Sequence, residues 1–234
     1  MGKEYLNNTK NKQNMKLNKL IDHTLLKATA TIAEIETLCK EAVEYDFYSV
    51  CVNSAYVATA KKFLEGTTVK VCSVVGFPLG AMQSKAKLFE TEQALADGAD
   101  EIDMVINVGW LKSGEIDKVR EEIAALKAAV GSNRVLKVII ETCYLTDEEK
   151  RLACQLALDA KADFVKTSTG FGTGGATLPD VKLMKESVQG HAKIKASGGV
   201  RDYETAIQYI NLGVQRIGTS NGITILKGEK GTGY

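Results

Sequence analysis

Eight short apolar runs recur along the chain, at residues 20–26, 48–53, 69–77, 101–107, 135–142, 164–168, 193–197 and 216–219. Stretches of helical period separate them. Ile32, Ile35, Leu38, Ala42 and Val43 fall near a 3.6-residue repeat, as do Ile116, Val119, Ile123, Leu126 and Val130 before Gly131. Leu88, Ala94 and Leu95 precede Gly98, and segments 147–160 and 202–212 behave alike, the second closing at Gly213. A glycine just past a periodic stretch is a usual helix stop. Thr146 with Glu149 three residues on has the form of a capping box. Strand and helix alternating in this way favour parallel pairing, because each helix carries the chain back to the same end of the sheet. Eight such units in 234 residues predict a single (β/α)8 TIM barrel spanning residues 15–228. The alternative is an open doubly wound sheet, which would gather its polar residues at one switch point. Here they stand at the ends of many strands. The two prolines, Pro78 and Pro179, each begin a loop or helix, and no Pro- or Ser-rich linker divides the sequence.

Charge inside the apolar runs carries the chemistry. Lys166 lies in Phe164-Val165-Lys166-Thr167-Ser168 and Lys195 in Ile194-Lys195-Ala196-Ser197. Burial disfavours an ammonium group, so a lysine among such neighbours either snorkels to water or has a use. Two lysines one βα unit apart become neighbours in a parallel sheet. Each is then expected to lower the other's pKa, leaving one free amine near neutral pH, as imine-forming catalysis requires. Two-residue alternation puts Glu101, Asp103, Val105 and Asn107 on one face of the fourth run. It groups Lys137, Ile139 and Glu141 on the fifth, and Lys193, Lys195 and Ser197 on the seventh. A barrel interior holding Asp103, Lys137, Lys166 and Lys195 is more polar than the usual Val, Ile and Leu filling. A buried structural salt-bridge network is the competing explanation.

Composition excludes other classes. With 30 basic and 29 acidic residues the net charge is +1, so nothing points to a nucleic-acid surface. No apolar span or signal-peptide core appears, and a cytoplasmic protein without membrane association is expected. Five cysteines without a C-x-x-C pair, and only two histidines, argue against a disulfide framework or a metal cluster. Residues 1–14, rich in Asn and Lys, read as a disordered extension, and 229–234 as a flexible tail.

Glycine-rich turns follow the last three runs: Gly170 to Gly175, Gly198-Gly199, and Gly218-Thr219-Ser220-Asn221-Gly222. Backbone N–H groups in such turns can close on a phosphate, and the loops after strands seven and eight are where this barrel commonly binds one. The first turn also fits G-x-G-x-x-G, but it lies late in the chain and lacks the acidic residue a dinucleotide fold needs.

The segments Asp22-His23-Thr24-Leu25-Leu26, Ser49-Val50-Cys51-Val52-Asn53, 101–107, Lys137-Val138-Ile139-Ile140-Glu141-Thr142, 165–171 and 194–199 closely resemble the deoxyribose-phosphate aldolase family. The resemblance runs from about Leu17 to Lys227. It implies a metal-independent class I aldolase without a cofactor, acting on a small phosphosugar and releasing acetaldehyde and D-glyceraldehyde 3-phosphate. By resemblance Lys166 is the Schiff-base nucleophile, Lys195 its neighbouring cation and proton relay, and Asp103 the proton donor and acceptor. Asp22 and Lys137 are implied as supports, and Gly170, Gly198, Gly199, Gly218, Thr219 and Ser220 as the phosphate site. Cys51 matches a cysteine near the substrate channel, with a plain core thiol as the alternative reading. The terminal Tyr234 matches a tyrosine thought to assist proton exchange, with a frayed end as its alternative. Ser54 stands where many members have proline, and Asn221 where a second serine is common. A homodimer is left open. A phosphosugar isomerase or epimerase would use carboxylate or histidine bases and have no need of the lysine pair.

Overall fold

The computed structural model describes residues 17–231, and the leading segment 1–14 and Tyr234 lie outside them. Eight parallel strands close into a barrel in sequence order. They are β1 (Ile21–Leu25), β2 (Ser49–Asn53), β3 (Lys70–Val75), β4 (Glu101–Val105), β5 (Val135–Ile139), β6 (Phe164–Lys166), β7 (Lys193–Ser197) and β8 (Arg216–Thr219). Each is followed by a helix: α1 (Ile32–Glu44), α2 (Val57–Phe63), α3 (Ser84–Ala96), α4 (Ile116–Val130), α5 (Asp147–Asp159), α6 (Leu178–Val188), α7 (Tyr203–Asn211) and α8 (Gly222–Lys227). The TIM barrel expected from the alternation is the fold observed. Among the described residues no helix is long and apolar enough to cross a membrane.

The two-residue alternation sorts side chains into two cores. Ile102, Met104, Val138, Val165, Ile194, Ala196 and Ile217 pack outward against the helices in one large apolar cluster. Their in-facing neighbours are charged, and Asp22, Asp103, Lys137 and Lys195 are fully buried. Register then fixes which charges meet. Asp103 lies beside Lys137, Ile139 beside Lys166, and Lys166 beside Lys195.

Several strands stop earlier than the apolar runs suggest. After Val105 the chain turns at Asn107, whose side chain accepts the Trp110 N–H at 3.1 Å and caps a one-turn helix, Val108–Lys112. After Ile139 it turns at Glu141, which is left-handed. The fifth helix begins as its sequence requires. Thr146 accepts the Glu149 N–H at 3.3 Å, and the Glu149 carboxylate takes the Thr146 N–H at 2.8 Å. Thr31 and Glu34 form a second capping box at α1. Helices α2, α6 and α8 were not legible as periodic stretches. α2 and α8 are only seven and six residues long, and α6 announces itself mainly through Thr177 at its N-cap and a proline in its first turn. Residues 229–231, assigned by composition to a flexible tail, run back to the loop after β7. Lys230 bridges to Asp202, and the Gly231 N–H donates to Arg201 O at 3.0 Å.

The capping geometry gives a direct check. Thr146→Ala removes the side-chain acceptor at the start of α5, and a loss of about 1 kcal/mol in urea unfolding is expected. A change within error would mean that the box contributes nothing.

Candidate active site

Inside the barrel the charges form a closed ring. Arg216 Nη1 contacts Asp22 Oδ1 at 2.7 Å and Glu101 Oε2 at 3.0 Å. Glu101 Oε2 lies 2.6 Å from Lys137 Nζ, which reaches Asp103 Oδ1 at 2.7 Å. Asp103 Oδ2 is 2.7 Å from Lys195 Nζ, and Lys195 closes the circuit on Asp22. Three cations thus alternate with three carboxylates. The Arg216 guanidinium also stacks on the Tyr48 ring at 3.5 Å, which seals the lower end. Ser49 donates to Asp22 Oδ1 at 2.6 Å, and the Cys72 thiol to Asp103 Oδ1 at 3.2 Å.

Lys166 stands outside this balance. Its Nζ lies 2.8 Å from Asp103 Oδ2, the oxygen that Lys195 also holds. Among the described residues Asp103 is the one carboxylate within ion-pair distance of Lys166. Lys166 also differs in access. It lines an open cleft at the C-terminal end of the barrel, whereas Asp22, Asp103, Lys137 and Lys195 do not. The remaining walls are Thr24, Leu26, and the loops after β6, β7 and β8. Gly170, Gly198, Gly199, Gly218, Thr219 and Ser220 all line it, so the residues expected to bind phosphate and the Lys166 amine share one space. Gly198 and Gly199 both have φ +81°, a conformation that strains any residue with a Cβ.

The electrostatics depart from the sequence reading in one respect. Lys166 and Lys195 were expected to depress one another. Burial does oppose charge on Lys195, but the carboxylates of Asp103 and Asp22 outweigh it and hold its pKa above that of an ordinary lysine. Lys137 is raised for the same reason: burial is overcome by Asp103, with Cys72, Glu101 and Asp22 assisting. Asp103 is itself held well below the carboxylate range, because Lys137, Lys166 and Lys195 together exceed its desolvation. Lys195 is therefore held in its charged form by the two carboxylates beside it.

Arg216, Glu101 and Cys72 complete the network and were not singled out from sequence. The same alternation that turned Asp103 inward also turned Glu101, two residues earlier, and an arginine opening the last apolar run carried the same signal as the lysines. Cys51 is a fully buried core thiol in a small cluster with Leu26, Cys72 and Val74, and it does not line the cleft. Cys51, Cys72 and Asp103 bring possible ligand atoms within 4.8 Å of one another, but Lys137 already donates to both Cys72 and Asp103.

Residues 16–227 match the profile of the DeoC/LacD family aldolases. The chain belongs to the DeoC/LacD aldolase family. The deoxyribose-phosphate aldolase of Streptococcus pneumoniae serotype 19F is 60% identical over 219 residues, covering 94% of this chain and 99% of that relative. A solved structure from Coccidioides immitis matches with a TM-score of 0.88 at 40% identity, over 91% of this chain and 85% of its own. The tetrameric deoxyribose phosphate aldolase from Aeropyrum pernix matches at 0.84 and 33% identity, over 90% and 89% of the two chains. The resemblance read from the motifs is thereby borne out, and an aldolase of this family is a carbon–carbon lyase.

The ring makes Asp103 the anion on which three amines of this DeoC/LacD aldolase converge. Asp103→Asn should cost about 3–5 kcal/mol at pH 7, because it strands buried cations. The sign with pH follows. The depressed pKa of Asp103 contributes stability that is complete above about pH 4 and is lost as pH falls through the folded value. Urea midpoints between pH 7 and pH 2 should therefore converge for the parent and Asp103→Asn. Parallel curves would mean that the carboxylate's charge is not what stabilises the barrel.

Proposed function

We propose that this chain is a class I aldolase that reversibly cleaves 2-deoxy-D-ribose 5-phosphate to acetaldehyde and D-glyceraldehyde 3-phosphate, with Lys166 as the imine-forming amine. One observation carries the assignment: of the three lysines and one arginine in the barrel interior, Lys166 alone opens on the cleft and alone stands outside the balanced ring. Apart from Lys166 the interior sets three cations against three carboxylates, and Lys166 adds one hydrogen bond to Asp103.

The steps follow from this geometry. The Lys166 nitrogen adds to the aldehyde carbon C1, and loss of water gives an iminium ion. The iminium withdraws electrons, so the C2–C3 bond breaks once the C3 hydroxyl loses its proton. That carbon leaves as the aldehyde of the phosphorylated product. The enamine left on Lys166 takes a proton at C2, and water then releases acetaldehyde. Lys195 lies 2.7 Å from the Asp103 oxygen that also holds Lys166, which places a second amine beside the reacting one. Asp103 touches both nitrogens through Oδ2, which places it to relay a proton between them and the substrate. Asp22 and Lys137 hold Lys195 and Asp103 in place. The turns at Gly170, Gly198–Gly199 and Gly218–Ser220 receive the phosphate, which fixes the far end of the substrate and brings its aldehyde to Lys166. The assignment of Tyr234 to proton exchange at the enamine carbon falls outside the described residues and belongs to this proposal. So do the barrel boundaries 15–228, the terminal extensions, metal independence, a cytoplasmic location and self-association as a homodimer or, as in the Aeropyrum pernix relative, a tetramer.

Borohydride reduction in the presence of acetaldehyde tests the assignment. An ethyl group is expected on Lys166, read by peptide mass. Lys195→Leu should lower kcat/KM at pH 7 by about 10²–10⁴-fold, with partial recovery at alkaline pH. Labelling chiefly at Lys195 or Lys137, or full activity of the Lys195 variant, would overturn it.

A further inference from the structure

Glu141 is the one residue near the cleft whose backbone pays for its position. It has φ 54° and ψ 67°, in the left-handed region that a residue with a Cβ rarely adopts. Among the described residues three other non-glycines have positive φ: Asp46, Lys161 and Gln189. All three are exposed and follow the ends of helices. Glu141 is different. It is 3% exposed and follows the end of β5, beside the cleft. Nothing in the aldol chemistry above uses it.

The strained turn directs the carboxylate beneath the loop after β6. The Thr169 N–H donates to Oε1 at 3.1 Å and Oε2 at 3.3 Å, and the Thr169 hydroxyl donates to Oε2. Thr169 Oγ1 in turn accepts the Phe171 N–H at 3.0 Å. The glycines that follow press the loop down over this contact. A Cβ on Gly172 would fall 2.9 Å from Cys143 Sγ and 3.3 Å from Glu141 Cδ. A Cβ on Gly175 would fall 2.2 Å from Gly198 O. The Ala176 N–H donates to the carbonyls of Ser197 and Gly198, each at 3.0 Å. A continuous path of contacts thus leads from the Glu141 carboxylate through Thr169 and the loop to the Gly198–Gly199 turn. Gly172 and Gly175 serve this packing, which is a different use from the phosphate cradle suggested by their sequence.

We propose that Glu141 is a positioning residue that latches loop 169–175 against the turn after β7 and so sets the spacing of the phosphate-binding walls. The inference rests on the phosphosugar reading of the cleft. Its signature is a separation of two activities. Acetaldehyde carries no phosphate, so its imine with Lys166 needs no phosphate-binding walls. The phosphorylated substrate does.

Glu141→Ala should raise KM for 2-deoxyribose 5-phosphate by about tenfold or more, while the rate of borohydride trapping with acetaldehyde stays within about twofold of the parent. Glu141→Gln keeps an acceptor for the Thr169 N–H and should lie between the two. It also serves if the alanine variant does not fold. Calorimetric titration with inorganic phosphate gives the same comparison without turnover, and weaker binding by the variants is expected. Parent protein that binds phosphate but does not cleave the sugar would count against the substrate assignment and leave the latch to be judged by that titration. An unchanged KM and phosphate affinity, or trapping that falls in step with KM, would overturn the latch.

Discussion

Asp103 accepts hydrogen bonds from Lys137, Cys72, Lys166 and Lys195, and the other charges of the barrel interior are arranged around that fact. A carboxylate carried into an apolar core must be met by cations and hydrogen bonds, or it stays protonated. Here β5 and β7 each bring a lysine, Asp22 and Glu101 balance those lysines, and Arg216 joins the two acids at the bottom. Each member is a neighbour of two others, so the ring tolerates burial that no single pair would. Lys166 is joined to it through one oxygen. That single attachment sets Lys166 apart from the amines of the ring.

The division of labour between the two ends of the barrel follows. Toward the strand N-termini the ring is sealed by the Arg216–Tyr48 stack, and Phe164 lies 5.5 Å from the guanidinium carbon. Toward the C-termini the chain leaves the strands in glycine turns that line the cleft. A fixed charge array below and adaptable backbone above suit a site that needs a constant field at one atom and a shaped wall around it. The loop after β6 connects the two, since it begins directly after Lys166 and ends against Gly198.

Much of this was legible in the sequence because a charge within a β-run is conspicuous and alternation gives its direction. Asp103, Lys137, Lys166 and Lys195 were readable on that basis, as were the barrel and the Thr146 cap. What escaped depends on contacts between distant segments. The pKa relation between the lysines was misjudged because Lys195 is governed by Asp103 and Asp22, 92 and 173 residues away, and not by its strand neighbour alone. Glu101 and Arg216 shared the signal of the lysines but gained meaning only when the ring closed. The left-handed turn at Glu141 has no local signature, since Glu-Thr after two isoleucines resembles the continuation of a strand. Strand ends were overestimated for the same reason.

The balance of charge is tested most directly by stability rather than by activity. Lys166→Met, Lys137→Met and Lys195→Met each remove one buried amine and keep most of the side-chain volume. Urea unfolding at pH 7 should show Lys137→Met and Lys195→Met losing about 3–5 kcal/mol, because each opens the ring and strands a carboxylate. Lys166→Met should be as stable as the parent or more so. A loss at Lys166 equal to that at the other two would mean that Lys166 belongs to the network, and the proposal that it is the reactive amine would lose its basis.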